Sequence, residues 1–174
     1  VCNSKRFEDH LAKEYAIKSY MCDFSSDEDR FETKIIPGLQ FFRKKWLDLP
    51  GAENSISLDD WIDLDCPYTE KDLMLQMDIE GAEYRNLLSA KVETLNRFRI
   101  ILIEFHQLPK LISNSEYEEY LEPVLRKLNL THTCVHAHPN NCCGDVLDRS
   151  TGMNIPRVIE ITFLRNDRFE VSGK

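Results

Sequence analysis

The sequence predicts an α/β fold built on a parallel sheet with helices on both faces. Continuous apolar runs, LMLQM at 73–77, RIILIEFH at 99–106 and VIEITFLR at 158–165, read as strands buried on both sides. Stretches with apolar residues every three or four positions lie between them, the spacing of helices. Strands that alternate with helices in this way form parallel sheets, and such sheets present ligands at the carboxyl ends of their strands.

The elements follow in order. Phe7, Leu11 and Tyr15 recur at helical spacing, which predicts a short amphipathic helix over 5–15. AIKSYMC (16–22) reads as a strand that stops at the polar turn Asp23-Phe-Ser-Ser, and 25–34 as a charged loop. FETKIIPGLQFF is rich in strand formers but broken by Pro37-Gly38. Ser57-Leu-Asp-Asp60 is a capping box, with Ile56 and Trp61 placed to staple a helix at 58–63. A helix starts near Ala82 with Tyr84, Leu87, Leu88, Val92 and Leu95 as its apolar stripe. Ser113 and Glu116 cap another, carrying Tyr117 to Leu128, which Pro123 kinks or splits. THTCVHAH (131–138) is a further strand, joined to 158–165 by a polar loop. With no repeat, low-complexity tract or linker, residues 1–174 are expected to form a single domain.

Composition narrows the function. A net charge of −8 argues against general affinity for nucleic acid or anionic membranes. RKKW at 43–46, the only basic run, reads as a solvated turn or helix face. No run of about 18 apolar residues exists to make a transmembrane helix. The first residues hold no apolar signal-peptide core, which favours a cytoplasmic location. Six cysteines form no recognisable framework, and neighbouring Cys142 and Cys143 are strained as a disulfide. One N-glycosylation pattern, Asn129-Leu-Thr131, is weak without a signal peptide.

Three strands end in polar residues two apart: Asp78 and Glu80, Glu104 and His106, His136 and His138. Residues at i and i+2 of an extended chain share a side. If the strands are neighbours, six ionisable groups meet on one rim. Gly81 lets the backbone turn closely into the next helix. Carboxylates with imidazoles bind divalent metals, and this carboxylate-rich set favours magnesium or manganese over zinc. The candidate metal ligands are Asp78, Glu104, His136 and His138. A histidine beside a carboxylate also serves as general base near neutral pH. Taken singly, each has a plainer reading: His106 as a structural histidine, Asp78 as a helix cap, Glu83 as a first-turn dipole partner. Glu160 is read as half exposed or paired with Arg157. His136-x-His138-x3-Cys142-Cys143 matches no common zinc spacing.

The succession Ser57-Leu-Asp-Asp-Trp61, LMLQMDIEGAEY, IILIEFHQL, VHAHPNN and IPRVIEITFLR resembles the FkbM-type methyltransferases, over residues 57–165 most fully. These are S-adenosylmethionine-dependent enzymes with the class I Rossmann-like fold. Asp78, Glu80, Gly81 and Glu83 match the family's Asp-x-Glu-Gly-x-Glu hallmark. The resemblance implies methylation of a hydroxyl on a saccharide or small-molecule acceptor, with His106 as base and Asp78 and Glu80 beside it. It implies that Asp23 binds the cofactor ribose, although Phe24 stands where the family has proline. It also implies a first strand and Gly-rich turn ahead of the first helix. The chain opens in that helix and has no GxG, so the expected sheet is incomplete at its N-terminus, with a homodimer, compensation by another segment or poor solubility as the expected consequences. Two other readings stand beside this one: a methyltransferase-like binding module without catalysis, and a metal-dependent hydrolase using the same rim.

Overall fold

A computed structural model describes residues 3–67, 72–113 and 116–168. The chain forms two compact units, Val1–Pro67 and Tyr68–Lys174.

The first unit contains α1 (Arg6–Tyr15), β1 (Ser19–Cys22), β2 (Gln40–Arg43), β3 (Trp46–Leu47), β4 (Ser55–Ile56) and α2 (Leu58–Asp65). β1 pairs in parallel with β2, and β3 with β4. The helix over 5–15 forms, but its expected apolar stripe does not face inward. Phe7 and Tyr15 are exposed, while Asp9 and Ala12 are buried. A buried polar network sets this rotation. Lys5 Nζ pairs with Asp9 and donates to the Lys34 carbonyl (3.0 Å) and Gln40 Oε1 (2.9 Å). Gln40 Nε2 and the Thr33 hydroxyl also donate to Asp9, at 2.9 and 2.5 Å. Burial raises the Asp9 pKa, but hydrogen bonds from Lys5, Thr33 and Gln40 outweigh it and hold the carboxyl well below its usual range. Each buried charge therefore has partners, the condition under which burial is tolerated. α1 ends where Ala16 turns left-handed (φ 52°). Ser57 caps α2 as expected, its Oγ accepting from the Asp60 N–H (3.1 Å), while the Asp60 carboxylate accepts from the Ser57 hydroxyl (2.7 Å); Ile56 and Trp61 are buried. Arg43 of the basic run closes β2 and pairs with Asp65.

The second unit contains β5 (Leu73–Met77), α3 (Glu83–Ser89), α4 (Val92–Leu95), β6 (Phe98–Phe105), α5 (Leu108–Ser113), a π-helical turn at Tyr117–Leu121 running into α6 (Glu122–Leu128), β7 (His132–Pro139), the hairpin β8 (Asp145–Asp148) and β9 (Met153–Pro156), and β10 (Ile159–Arg165). The helix expected from Ala82 to Leu95 breaks at Ala90, whose backbone is extended (ψ 143°). Lys127 Nζ caps the freed end by donating to the Leu88 and Ala90 carbonyls. Pro123 sits in the first turn of α6, where the π-helical turn passes into the α-helix. The Ser113 side chain, read as a cap, lies outside the described residues.

The four-stranded sheet has the order β5-β6-β10-β7. β5 and β6 are parallel, but β10 runs antiparallel to both its neighbours. The sheet is therefore mixed, not wholly parallel as expected. The cause is the connection: β7 reaches β10 through the β8–β9 hairpin without a crossover helix. Nor are both faces equally covered. Leu75, Met77, Ile101, Ile103, Phe105 and Phe163 share one buried face. α3 and α6 bring Leu87, Val124 and Leu128 to the same core, and the Tyr84 ring lies 5.4 Å from Phe105. On the other face Met74, Gln76 and Glu160 are exposed. Among the described residues no helix is long and apolar enough to cross a membrane.

His132 opens β7 and is 1% exposed. Its Nε2–H donates to the Phe98 carbonyl (2.9 Å), and Nδ1 accepts from the Thr131 hydroxyl (2.8 Å). Burial lowers its pKa below 6.5. The unfolded chain then takes up this proton first as pH falls, so the contribution is complete above about 6.5 and declines below it. Thermal unfolding from pH 8 to 5 should show the loss, and His132→Gln should flatten the profile over that window.

Candidate functional site

The site forms where β5 and β6 end side by side. Two backbone turns shape it. Glu80 and Gln107, the residues that follow these strand ends, both have left-handed backbones (φ 57° and 60°). A non-glycine residue there costs about 1–3 kcal/mol, which the surrounding structure must offset. Gly81 (φ 103°) completes the first turn, and a Cβ on it would meet Gln107 Nε2 at 2.9 Å. Tyr84 anchors the second, donating its hydroxyl proton to the His106 carbonyl (2.7 Å).

Glu83 occupies the centre, with a fully buried side chain. Its Oε1 accepts from the backbone N–H groups of Ile79 (3.0 Å) and Gly81 (3.1 Å). His106 Nδ1 lies 3.0 Å from the same oxygen. An oxygen already accepting two N–H groups requires a donor from the histidine, so the proton sits on Nδ1. In the neutral ring Nε2 then carries a lone pair, and it faces Glu80 (3.5 Å) and Asp78 (3.7 Å). Both distances exceed a good hydrogen bond and leave the lone pair available to an incoming group. The His106 side chain is 13% exposed, Asp78 half exposed and Glu80 almost wholly so. The arrangement is a carboxylate–histidine dyad: a buried anion fixes the tautomer, and the second nitrogen faces solvent.

Glu104 comes up beside it. Asn140 Nδ2 donates to Glu104 Oε1 (2.7 Å), while Asn140 Oδ1 accepts from the Cys142 N–H (2.8 Å), which fixes the amide's orientation. Burial first, then the negative charge of Asp78, pushes the Glu104 carboxyl above its usual 4.5. Atoms of Asp78, Glu104 and His106 that could ligate a metal lie within 4.8 Å of one another.

The structure thus joins four of the expected residues, Asp78, Glu80, Glu104 and His106. His136 and His138 lie apart. They sit on β7, with β10 between them and β6, and the register pairs both Glu104 and His138 with Glu160. Two strand spacings, about 9–10 Å, separate their backbones from Glu104. Their rings stack on each other, with centroids 6.3 Å apart, and His138 contacts Asn141. Asp23, at the end of β1 in the other unit, serves its own turn: it accepts from the Ser25 N–H and hydroxyl (2.7 and 2.6 Å) and the Ser26 hydroxyl (2.7 Å). Sequence reasoning passed over Asn140 and reduced Glu83 to a dipole partner. For Glu83 the available signal was its place two residues after Gly81, within reach of the turn's N–H groups.

The raised Glu104 pKa has a consequence for stability. The folded state holds this proton more tightly than the unfolded chain, so stability falls as pH rises through the Glu104 titration. Glu104→Gln should therefore melt higher than the parent at pH 7. The gap should close below the ordinary glutamate range, as differential scanning calorimetry at both pH values will show.

Comparison with protein-family models, curated proteins and solved structures finds no match to this chain.

Proposed function

We propose that this protein transfers a methyl group from S-adenosylmethionine to an acceptor hydroxyl, with His106 as the base. The observation that carries the reading is the buried Glu83–His106 dyad at paired strand ends, its Nε2 directed at Asp78 and Glu80. The order of segments that resemble the FkbM-type family supports it.

The cofactor, when bound, supplies an electrophilic methyl on a sulfonium. The protein's part is to position the hydroxyl and remove its proton. His106 Nε2 takes that proton, and Glu83 stabilises the resulting imidazolium through Nδ1–H. Asp78 and Glu80 accept hydrogen bonds from the acceptor's other hydroxyls. A recess of about 330 Å³ beside Asn140, lined by Asn141, Asp145 and Asn154, presents amides and a carboxylate suited to a saccharide. The resemblance gives Asp23, a carboxylate at a strand end, as the ribose acceptor.

A non-catalytic module would keep Glu83 for the turns it ties together, and it requires unchanged partner binding when His106 is replaced. The hydrolase reading draws on the Asp78, Glu104 and His106 cluster. It requires stoichiometric metal binding without affinity for adenosyl ligands.

Calorimetric titration with S-adenosylhomocysteine tests the proposal. Saturable binding is expected, together with retained binding but at least about 100-fold slower turnover in His106→Ala, the scale of general-base catalysis. Absence of binding by the folded chain, or unchanged turnover in the variant, would overturn it.

A further inference from the structure

We propose that Asp78, Glu104 and His106 form a divalent-cation site whose occupancy is an alternative to the basic role of His106. Three ligand atoms of two types are already gathered: one imidazole nitrogen and two carboxylate oxygens, from the ends of two adjacent strands, within 4.8 Å of one another. Ligands about 2.1 Å from a central ion lie roughly 3–4.2 Å apart, so modest side-chain movement closes the set around an ion. One imidazole with two carboxylates suits a cation that accepts both, and manganese is the natural probe.

What separates this cluster from a patch of surface acids is the support behind it. Metal-bound histidines donate their other ring N–H to a carboxylate, and ligating carboxylates are themselves hydrogen-bonded. Groups outside the cluster meet the first condition for His106 and the second for Glu104. Glu83, fully buried, receives Nδ1–H and leaves the Nε2 lone pair outward. Asn140 holds Glu104 Oε1, and its own amide is locked by the Cys142 N–H. A cation between Asp78 and Glu104 would also neutralise two facing negative charges.

The inference rests on the dyad geometry but not on methyl transfer. A bound cation takes the lone pair that otherwise takes the hydroxyl proton. The same histidine is therefore a ligand in one state and a base in the other, and the cation should inhibit proton abstraction. Failure of cation binding leaves the methyltransferase reading to the S-adenosylhomocysteine titration, and the reverse also holds.

The test is titration of the full chain with Mn²⁺, following the electron paramagnetic resonance signal of the free ion. One saturable equivalent is expected. His106→Asn and Glu104→Gln should each weaken it more than tenfold. Asn140→Ala, which removes neither a ligand nor a charge, should weaken it about tenfold through loss of support. Circular dichroism melting confirms that each variant is folded, and His106→Asn alone decides the matter if Asn140→Ala is not. Non-saturable binding, or equal affinity in parent and His106→Asn, would show only general attraction to an acidic protein and overturn the proposal.

Discussion

The site depends on one buried oxygen. Glu83 Oε1 gathers the N–H groups of Ile79 and Gly81 and the Nδ1–H of His106 at 3.0–3.1 Å. It thereby ties the turn after β5 to the residue that follows β6. Hydrogen bonds to a charged group contribute about 1.5–3 kcal/mol each, enough to offset the left-handed backbones at Glu80 and Gln107. The other carboxylate oxygen, Oε2, is buried without a partner among the described residues. The arrangement is thus held at a local cost.

The rim shows a second conflict of the same kind. Burial first, then the facing charge of Asp78, pushes the Glu104 carboxyl above its usual range. A core strand could have ended in neutral residues here. A proton, an acceptor hydroxyl or a cation can each relieve the conflict. The rest of the unit supplies rigidity. Phe105 packs against Tyr84 just beneath the dyad, and the Tyr84 hydroxyl holds the His106 carbonyl. At the far end of the sheet, Arg165 bonds Asp72 (2.5 Å), Asp167 and the Asn96 carbonyl, fixing the start of β5.

Much of this was legible in the sequence. The strands 73–77 and 98–105 follow from apolar runs too short for helices, and the clustering of Asp78, Glu80, Glu104 and His106 follows from polar residues at their ends. The direction of β10 was not legible, because the hairpin β8–β9 hides in a polar loop whose alternation is weak. That one strand moves His136 and His138 away from the rim. The facing of α1 was also hidden: Phe7, Leu11 and Tyr15 make a proper helical stripe, yet the Lys5–Asp9–Gln40 network turns another face inward. Periodicity measures apolar spacing and is blind to a buried ion pair that satisfies itself. Glu83 was underread for a related reason, since a glutamate in a first helical turn usually faces water.

Nitrogen-15 NMR of the His106 ring tests the central claim most directly. In the neutral form of the ring, Nδ1 should be protonated and Nε2 should show the shift of an unprotonated ring nitrogen. In Glu83→Gln, with the fold intact, the two tautomers should mix. A parent protein with its proton on Nε2, or a tautomer indifferent to Glu83, would contradict the account.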